Sequence, residues 1–499
     1  DDAADLDGGQ LYEGLLSSFA EREVRRVHGR QPDAALPALV EQELLRLSVV
    51  AFAMFHRLRL WVTEEELDAD LAGLGIAPSR AGSTEAFRSP LTAGQEMVGR
   101  FFFIQRAQAV QEDKTRQTYE FLHATFGEYL VARLVAQAVR EAHAREAAST
   151  LALRLGPAND DDLLRSLLAF TPLTARATVL PFVAGLLAGP ERERLRTWLA
   201  ARTAQAVTRP QHVESRYRPI DKRIDHGMAT YSFNLLLLTL ACGGELRASD
   251  LFTRTDDPAV WLRNSALQWQ AAVPGEMWMD TMEVLTITRG RRDGRRDIVL
   301  EYTPGRPAEL PDPVDVAWIN RLAPGERRDG AFLGGFEVPA ALTSMQLGNR
   351  LREDALLHAV EPLIRRIPEA LTHFVPRVGG GHGSVAHNLT LMWTATSPDD
   401  RLAAYRAVCE AAVHLARSGL SEAAEAVAEM LLINLRGDTG LLSPTAVSVV
   451  VGALGHQVSL TPVAFFSAVH CLDAVGAHGA DLAGVLFGPE RAAGPAVRR

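Results

Sequence analysis

Apolar residues in this chain recur mostly at helical spacing, with two clear interruptions where the period drops to two. After a polar lead (Asp1–Gly9), Leu11, Leu15, Phe19 and Val24 fall on one side of Leu11–Arg26 with charge opposite, which predicts an amphipathic helix. Pro32 and Pro37 close that unit. Leu44, Leu47, Val50, Ala51, Met54, Phe55 and Leu58 then predict a mostly buried helix over Val40–Leu60. Thr63 followed by Glu66 is a capping-box pattern that opens a short helix through Leu74. In Phe101–Val110 and again in Arg116–Leu122 the pattern alternates, and the polar stretch Gln111–Thr115 between them predicts a β-hairpin. A helix over His123–Arg145 follows.

Beyond Ala148 the helical period returns. Helices are predicted over Asp161–Phe170, Leu173–Leu187, Pro190–Ala206, Thr230–Cys242 and Pro258–Gln270, broken by Gly156-Pro157, Gly189-Pro190 and the polar stretch Arg209–Asp225. Antiparallel helices on short loops form a bundle or array, although no clean repeat period is present. Near Met277 the composition shifts: Glu283–Thr288 and Asp297–Tyr302 are β-branched runs around Arg289–Arg296, with Asp293-Gly294 at the turn of a second hairpin. Thr303–Gly335 is rich in Pro and Gly and predicted irregular; helices resume at Gln346–Leu371 and Pro398–His478, and the tail after Gly488 is expected to fray.

Composition narrows the picture. At 499 residues the chain is too long for one core, and about three or four domains are expected. The longest apolar run, Tyr231–Cys242, is shorter than the roughly 20 residues a membrane span needs and contains Asn234, so a buried helix is expected there. Cys242, Cys409 and Cys471 are too scattered for a disulfide framework or a zinc site, which points to a reducing cytoplasm. With 52 basic and 61 acidic residues the net charge is −9, which disfavours non-specific nucleic-acid binding. Lys114 and Lys222 are the only lysines; together with abundant Ala this fits a GC-rich bacterial coding sequence. The chain opens on Asp1 with no signal peptide, so it is expected to be a piece of a longer polypeptide.

Several chemistries lack their residues. No GxxxxGK[ST] loop, GxSxG elbow or HExxH helix occurs. Gly381, Gly383 and Ala386 have dinucleotide-fingerprint spacing, but His387–Thr394 reads as extended where that motif needs a helix, so a flexible loop is expected. His373, His382 and His387 lack metal-ligand spacing. The five arginines of Arg289–Arg296 are expected at a solvated hairpin tip, the alternative being a contact for phosphate, nucleic acid or an acidic surface.

One segment carries a family likeness. Tyr119–Leu134, YEFLHATFGEYLVARL, resembles the winged-helix signature of NACHT-type signalling ATPases at Tyr119, Phe121, His123, Phe126, Glu128, Tyr129, Leu130 and Ala132. Leu11–Glu23 resembles the helical lid that follows the family's nucleotide-binding module, and Leu44–Leu67 resembles its first winged-helix segment. The likeness covers roughly the first 140 residues. It implies a switch of the STAND class, in which ADP is clamped between an upstream NTPase module and the winged helix and a histidine reaches the terminal phosphate. The matching residue is His123. His123 also falls where a strand gives way to a helix, an anion-friendly position, and Gly127 four residues on leaves space on the same face. The bland reading of His123 is a partly buried side chain satisfied by a backbone carbonyl; Glu128 reads as a surface carboxylate and the motif's aromatics as core.

The expected fold is therefore mainly α: a winged helix with a β-hairpin wing, then a helical bundle or array with a small β insertion. The expected divisions are 1–30 (end of the lid), 31–146 (winged helix), 147–275 (helical region), 276–345 (β-containing insertion) and 346–499 (C-terminal helical region). The expected function is nucleotide-state reporting by the winged helix and sensing of a ligand or protein partner downstream, with ADP or ATP shared with the upstream module, no metal, no membrane, and an oligomer on activation. No catalytic residue is expected here. Bacterial defence or stress signalling is implied by the likeness alone. The alternatives are a DNA-binding winged-helix regulator, against which the acidic segment Thr63–Leu74 argues, and a helical scaffold without a nucleotide.

Overall fold

The computed structural model describes residues 8–28, 32, 34–75, 104–111, 114–148, 162–210, 215–306, 312, 315–322, 330–331, 338–348, 351–376, 382–477 and 480–487. The expectations for Phe101–Phe103, Gly156-Pro157, the turn between the first hairpin's strands, most of Thr303–Gly335 and the tail after Gly488 lie outside these residues. The chain is mainly helical with small antiparallel sheets and divides into two compact units, Asp1–Asp312 and Pro313–Arg499.

In the first unit, α1 (Gly8–His28) buries Leu16, Ala20 and Val24, while Leu11 and Leu15 stay exposed. The buried stripe is thus turned by about one residue from the expected one, because the neighbour it meets, rather than its mean polarity, selects the face. Pro37 does not close that helix. It sits in the first turn of α2 (Leu36–His56), where its missing N–H has no intrahelical role. The second half of α2 is buried from Leu47 through His56, and the helix ends four residues before the expected Leu60. Leu58 then takes a positive φ of 54°, and Trp61–Thr63 forms a short strand, β1, that the alternation did not reveal. Thr63 caps α3 (Glu64–Gly73) as expected: its hydroxyl accepts from Glu66 N at 3.2 Å, and the Glu66 carboxylate accepts from Thr63 N at 3.0 Å.

The first hairpin is β2 (Ile104–Gln111) and β3 (Lys114–Phe121), paired from Ile104↔Phe121 to Gln111↔Lys114. β1 adds on the far side of β3, giving the order β1-β3-β2. From β3 the chain enters α4 (Ala124–Ala148), which packs on α2.

The rest of this unit gathers on one helix. After α5 (Asp162–Leu168), a 3-10 turn (Leu173–Ala175), α6 (Val179–Leu186) and α7 (Arg192–Thr208) comes α8 (Ile224–Ala241), buried without interruption from Thr230. The single helix expected over Leu173–Leu187 is therefore two pieces. A short strand β4 (Leu246–Arg247), α9 (Ala248–Leu251), α10 (Pro258–Ala272) and α11 (Gly275–Glu283) follow. The second hairpin, β5 (Leu285–Arg292) and β6 (Arg295–Tyr302), has Asp293 and Gly294 at φ 51° and 76° in its turn, as the Asp-Gly pair predicts, and β4 completes the order β4-β6-β5. Its arginines do not simply fan into solvent. Arg296 is buried against Asp257, Arg292 pairs with Asp250 at 2.9 Å, and Arg295 donates to Thr255 O at 3.0 Å.

In the second unit, α12 (Val316–Ile319), β7 (Gly330–Ala331), α13 (Val338–Gly348) and α14 (Leu351–Arg366) lead, through a 3-10 turn (Pro368–Leu371), to β8 (His373–Pro376) and β9 (His382–Ser384). These strands pair antiparallel in the order β7-β8-β9. His387–Thr394 is not extended. Val385–Thr394 is helix α15, capped by Ser384, with Val385, Asn388, Leu389 and Met392 buried at helical spacing. A helix does follow Gly383, but the strand before it is three residues long and antiparallel, so among the described residues it forms no βαβ crossover for a dinucleotide. The helices α16 (Pro398–Arg417), α17 (Ser421–Asp438), α18 (Pro444–Gln457), α19 (Pro462–Ala474) and α20 (Ala480–Phe487) share one continuous core. Three of them start on Ser397-Pro398, Ser443-Pro444 and Thr461-Pro462, where the hydroxyl caps and the proline supplies the first turn.

Asn234 holds the turn that follows α5. Fully buried on α8, it donates from Nδ2 to Leu168 O at 2.7 Å and Thr171 O at 2.9 Å, and accepts from Leu173 N at 2.9 Å. Replacing it with leucine strands three buried backbone groups, each costing about 1–3 kcal/mol. We expect Asn234→Leu to destabilise the first unit by about 3 kcal/mol or more, read as a lower urea midpoint by far-UV circular dichroism; an unchanged midpoint would contradict this account of the turn.

Candidate functional site

The motif helix α4 grips α1. Tyr129 donates to Glu13 Oε2 at 2.6 Å, and Arg133 bonds the same carboxylate through Nε at 3.0 Å. The guanidinium's other edge holds Glu41 of α2, with bonds of 2.9 and 2.6 Å. One planar cation thus bridges carboxylates from two helices, a geometry its fork of donors suits and a lysine could not copy. Burial raises the Glu13 pKa, but the bonds from Arg133 and Tyr129 outweigh it and hold this carboxyl below its ordinary value. Alongside, the Tyr12 ring stacks on Tyr129 and meets Phe126 and Phe182 edge-on, with centroids 5.4–5.6 Å apart. Of the motif's aromatics, Tyr119 and Tyr129 are core, as expected, while Phe121 and Phe126 are half-buried; the Tyr129 cluster is shared with α1 and α6.

His123 is placed otherwise than its bland reading holds. It is exposed, directly before the first residue of α4, and among the described residues its ring makes no hydrogen bond; the Phe126 ring lies 6.3 Å away. The gap at Gly127 does not serve His123. A Cβ there would meet the Phe121 ring at 3.1 Å, so the glycine makes room for the last residue of β3. Glu128 is half-buried and accepts a hydrogen bond from Thr178, which corrects its reading as a surface carboxylate. Around it lies a cavity of about 140 Å³, walled by Phe55, Arg59, Phe121 and Arg176 among others. His123 is not in that wall.

A larger cavity, about 630 Å³, lies elsewhere in the same unit, between the end of α3, α5, the 215–223 segment and the start of α8. The polar stretch Arg209–Asp225, predicted only to break the helical pattern, supplies much of its wall: Arg216, Tyr217, Arg218 and Lys222, with Arg165 and Tyr231 from α5 and α8. The wall is held from behind. Tyr217 O–H donates to Nδ1 of His56 at 2.8 Å, and His56 Nε2–H donates to Leu167 O at 3.0 Å. These partners fix the imidazole tautomer, and burial with help from the charges of Lys222 and Arg57 pulls its pKa down to about 3, so it is neutral at pH 7. Burial likewise pushes the Tyr217 phenol well above its usual range. At Gly73, the last residue of α3, a Cβ would come within 2.9 Å of Tyr217 Cα, so the two backbones approach as closely as a side chain would forbid.

Lys222 is the unusual member. Its ammonium donates to Phe170 O at 2.6 Å and Thr230 Oγ1 at 2.7 Å, and among the described residues no carboxylate pairs with it. Burial lowers its pKa to about 8. Arg165 lies over the Tyr231 ring, 4.6 Å from the centroid. Sequence patterning passed over this site because its residues come from four separate segments; the one available signal was that Lys222 is one of two lysines among so many arginines.

A pH dependence follows from His56. Its folded-state pKa lies below the unfolded value near 6.5, so below pH 6.5 the unfolded chain binds a proton the folded chain refuses. Stability is then fully present above 6.5 and falls by up to about 1.4 kcal/mol per unit as the pH drops toward the folded value. We expect His56→Gln to remove one proton's worth of slope from unfolding free energy measured between pH 6 and pH 4. An unaltered slope would mean that His56 already titrates in the fold.

Among the described residues, no group of three His, Cys, Asp or Glu side chains is placed to hold a metal, and no single helix is long and apolar enough to cross a membrane. In comparisons with known proteins, no family model, no curated protein and no solved structure matches the chain.

Proposed function

We propose that this chain is the regulatory and sensing part of a NACHT-type nucleotide switch, with 31–146 as its winged-helix domain and α1 as the end of the lid. The element order α2–β1–α3–β2–β3–α4, with the strands arranged β1-β3-β2, supports the winged-helix reading. The observation that carries the functional reading is the clasp. Tyr129 and Arg133, both on the motif helix, hold Glu13 of α1, so whatever is felt at the start of α4 is passed to α1 as a rigid displacement.

In this reading the ADP-bound resting state has the imidazole N–H of His123 donating to a terminal phosphate oxygen. The exposed ring at the start of a 25-residue helix fits that role, since the helix's first N–H groups and its positive end favour an anion in the same place. The bound nucleotide supplies the charge that distinguishes the two states; the chain supplies the imidazole, the clasp and the lid end. Exchange to ATP or binding of a sensed ligand downstream shifts the population toward an open packing that oligomerises. The acidic first turn of α3, Glu64 to Glu66, speaks against a DNA-reading role for that helix.

The test uses the full-length polypeptide, including what its gene encodes upstream of Asp1. A Walker A loop is expected there. His123→Ala should speed ADP dissociation about tenfold, the worth of one charge-assisted hydrogen bond, and raise basal signalling. Absence of a phosphate-binding loop upstream, or ADP dissociation and basal signalling both unchanged in His123→Ala, would remove the proposal.

A further inference from the structure

We propose that the 630 Å³ cavity between α3, α5 and α8 is a binding site for a small organic anion, one that joins an aromatic or apolar body to a phosphate or carboxylate. The site stands independently of the nucleotide-switch reading, because it uses neither His123 nor the α1–α4 clasp.

Size is the first support: cavities of about 300–1,000 Å³ hold ligands of metabolite size. Charge is the second. Arg165, Arg216, Arg218, Lys222 and Arg223 line the cavity against two acids, Asp162 and Asp221. Arg223 is answered by Asp225, whereas Lys222 is a part-buried cation held by neutral oxygens. An ammonium withdrawn from water without a counter-ion gains most from an anion brought to it, since the attraction acts in a partly desolvated space. Two of its N–H groups are committed to Phe170 O and Thr230 Oγ1, which aim it and leave a third. Arg216 and Arg218, both exposed on the 215–223 segment, can approach the same anion.

The third support is the apolar share of the wall. Phe170, Tyr217, Tyr231 and Met228 give flat and adaptable surface beside the charged end. The wall is also fixed before any ligand arrives. Tyr217 is tied to His56, Ser215 Oγ is 3.0 Å from Ser166 Oγ, and Tyr217 N donates to Ser215 Oγ at 3.1 Å. Ordering entropy that a floppy loop would lose on binding is thus already lost in folding.

The scarcity of lysine makes the test direct. Within residues 1–499, a Lys114→Arg background leaves Lys222 as the only lysine, so its acetylation by an N-hydroxysuccinimide ester at pH 8, read by mass spectrometry on the peptide that contains it, reports this amine alone. Probes are phenyl phosphate, phenylacetate, inorganic phosphate and benzyl alcohol. We expect phenyl phosphate or phenylacetate to slow acetylation about tenfold at roughly ten times its Kd, and the stronger of the two names the anionic group. Benzyl alcohol should give no protection, and inorganic phosphate less than its phenyl ester. The Arg216→Ala/Arg218→Ala variant changes only exposed side chains and should weaken the protecting probe about tenfold. No protection by either aryl anion, equal protection by benzyl alcohol or by inorganic phosphate, or unchanged affinity in the double variant would each overturn the assignment.

Discussion

A neutral imidazole organises the first unit. His56 ends α2, and its two ring nitrogens bond Tyr217 and Leu167, while its own backbone carbonyl accepts from Thr171. The ring packs against Phe52, Phe170 and Tyr217. Three stretches far apart in the sequence therefore converge on one side chain whose every polar atom is satisfied. A buried network of this kind is stable only when complete, since each unpaired member keeps its full desolvation penalty. It ties the end of α2, α5 and the 215–223 segment together beside the cavity.

Locally encoded features were legible in the sequence. Thr63 with Glu66 and Asp293 with Gly294 carry their own geometry, so the α3 cap and the second hairpin's turn could be placed without knowing any neighbour. Features chosen by a partner were not. The buried face of α1 is set by what it meets, and Leu16 rather than Leu15 goes inside. His387–Thr394 carries residues that favour strands, yet the Ser384 cap and a core on one side make it helical. The arginines of 289–296 looked like a free cluster because Asp250, Asp257 and Thr255 lie about forty residues away. The cavity was the least legible part of all, since α3, α5, α8 and an irregular segment each contribute to it without a shared motif.

The Tyr119–Leu134 motif has two kinds of residue, and the structure separates them. Phe126, Tyr129 and Phe121 are occupied with packing, the last of them filling the space that Gly127 leaves. Tyr129 and Arg133 also reach out to Glu13, so the same helix is both core and clasp. A side chain that packs and bonds at once couples two elements more tightly than either role alone, because neither contact can loosen without the other. His123 stands apart from both groups, at the exposed edge of a well-held helix.

The bond between His56 and Tyr217 spans 161 residues, which sets a clock on synthesis. Ribosomes add about 5–20 residues per second, so α2 waits roughly 8–32 s for the partner that completes its buried end. During that interval His56 lacks its tyrosine, although α1 is already made and α4, which packs on the same helix, is complete before Tyr217 is reached. The end of α2 is therefore closed in stages along the chain, with its helix neighbours first, Leu167 next and Tyr217 last.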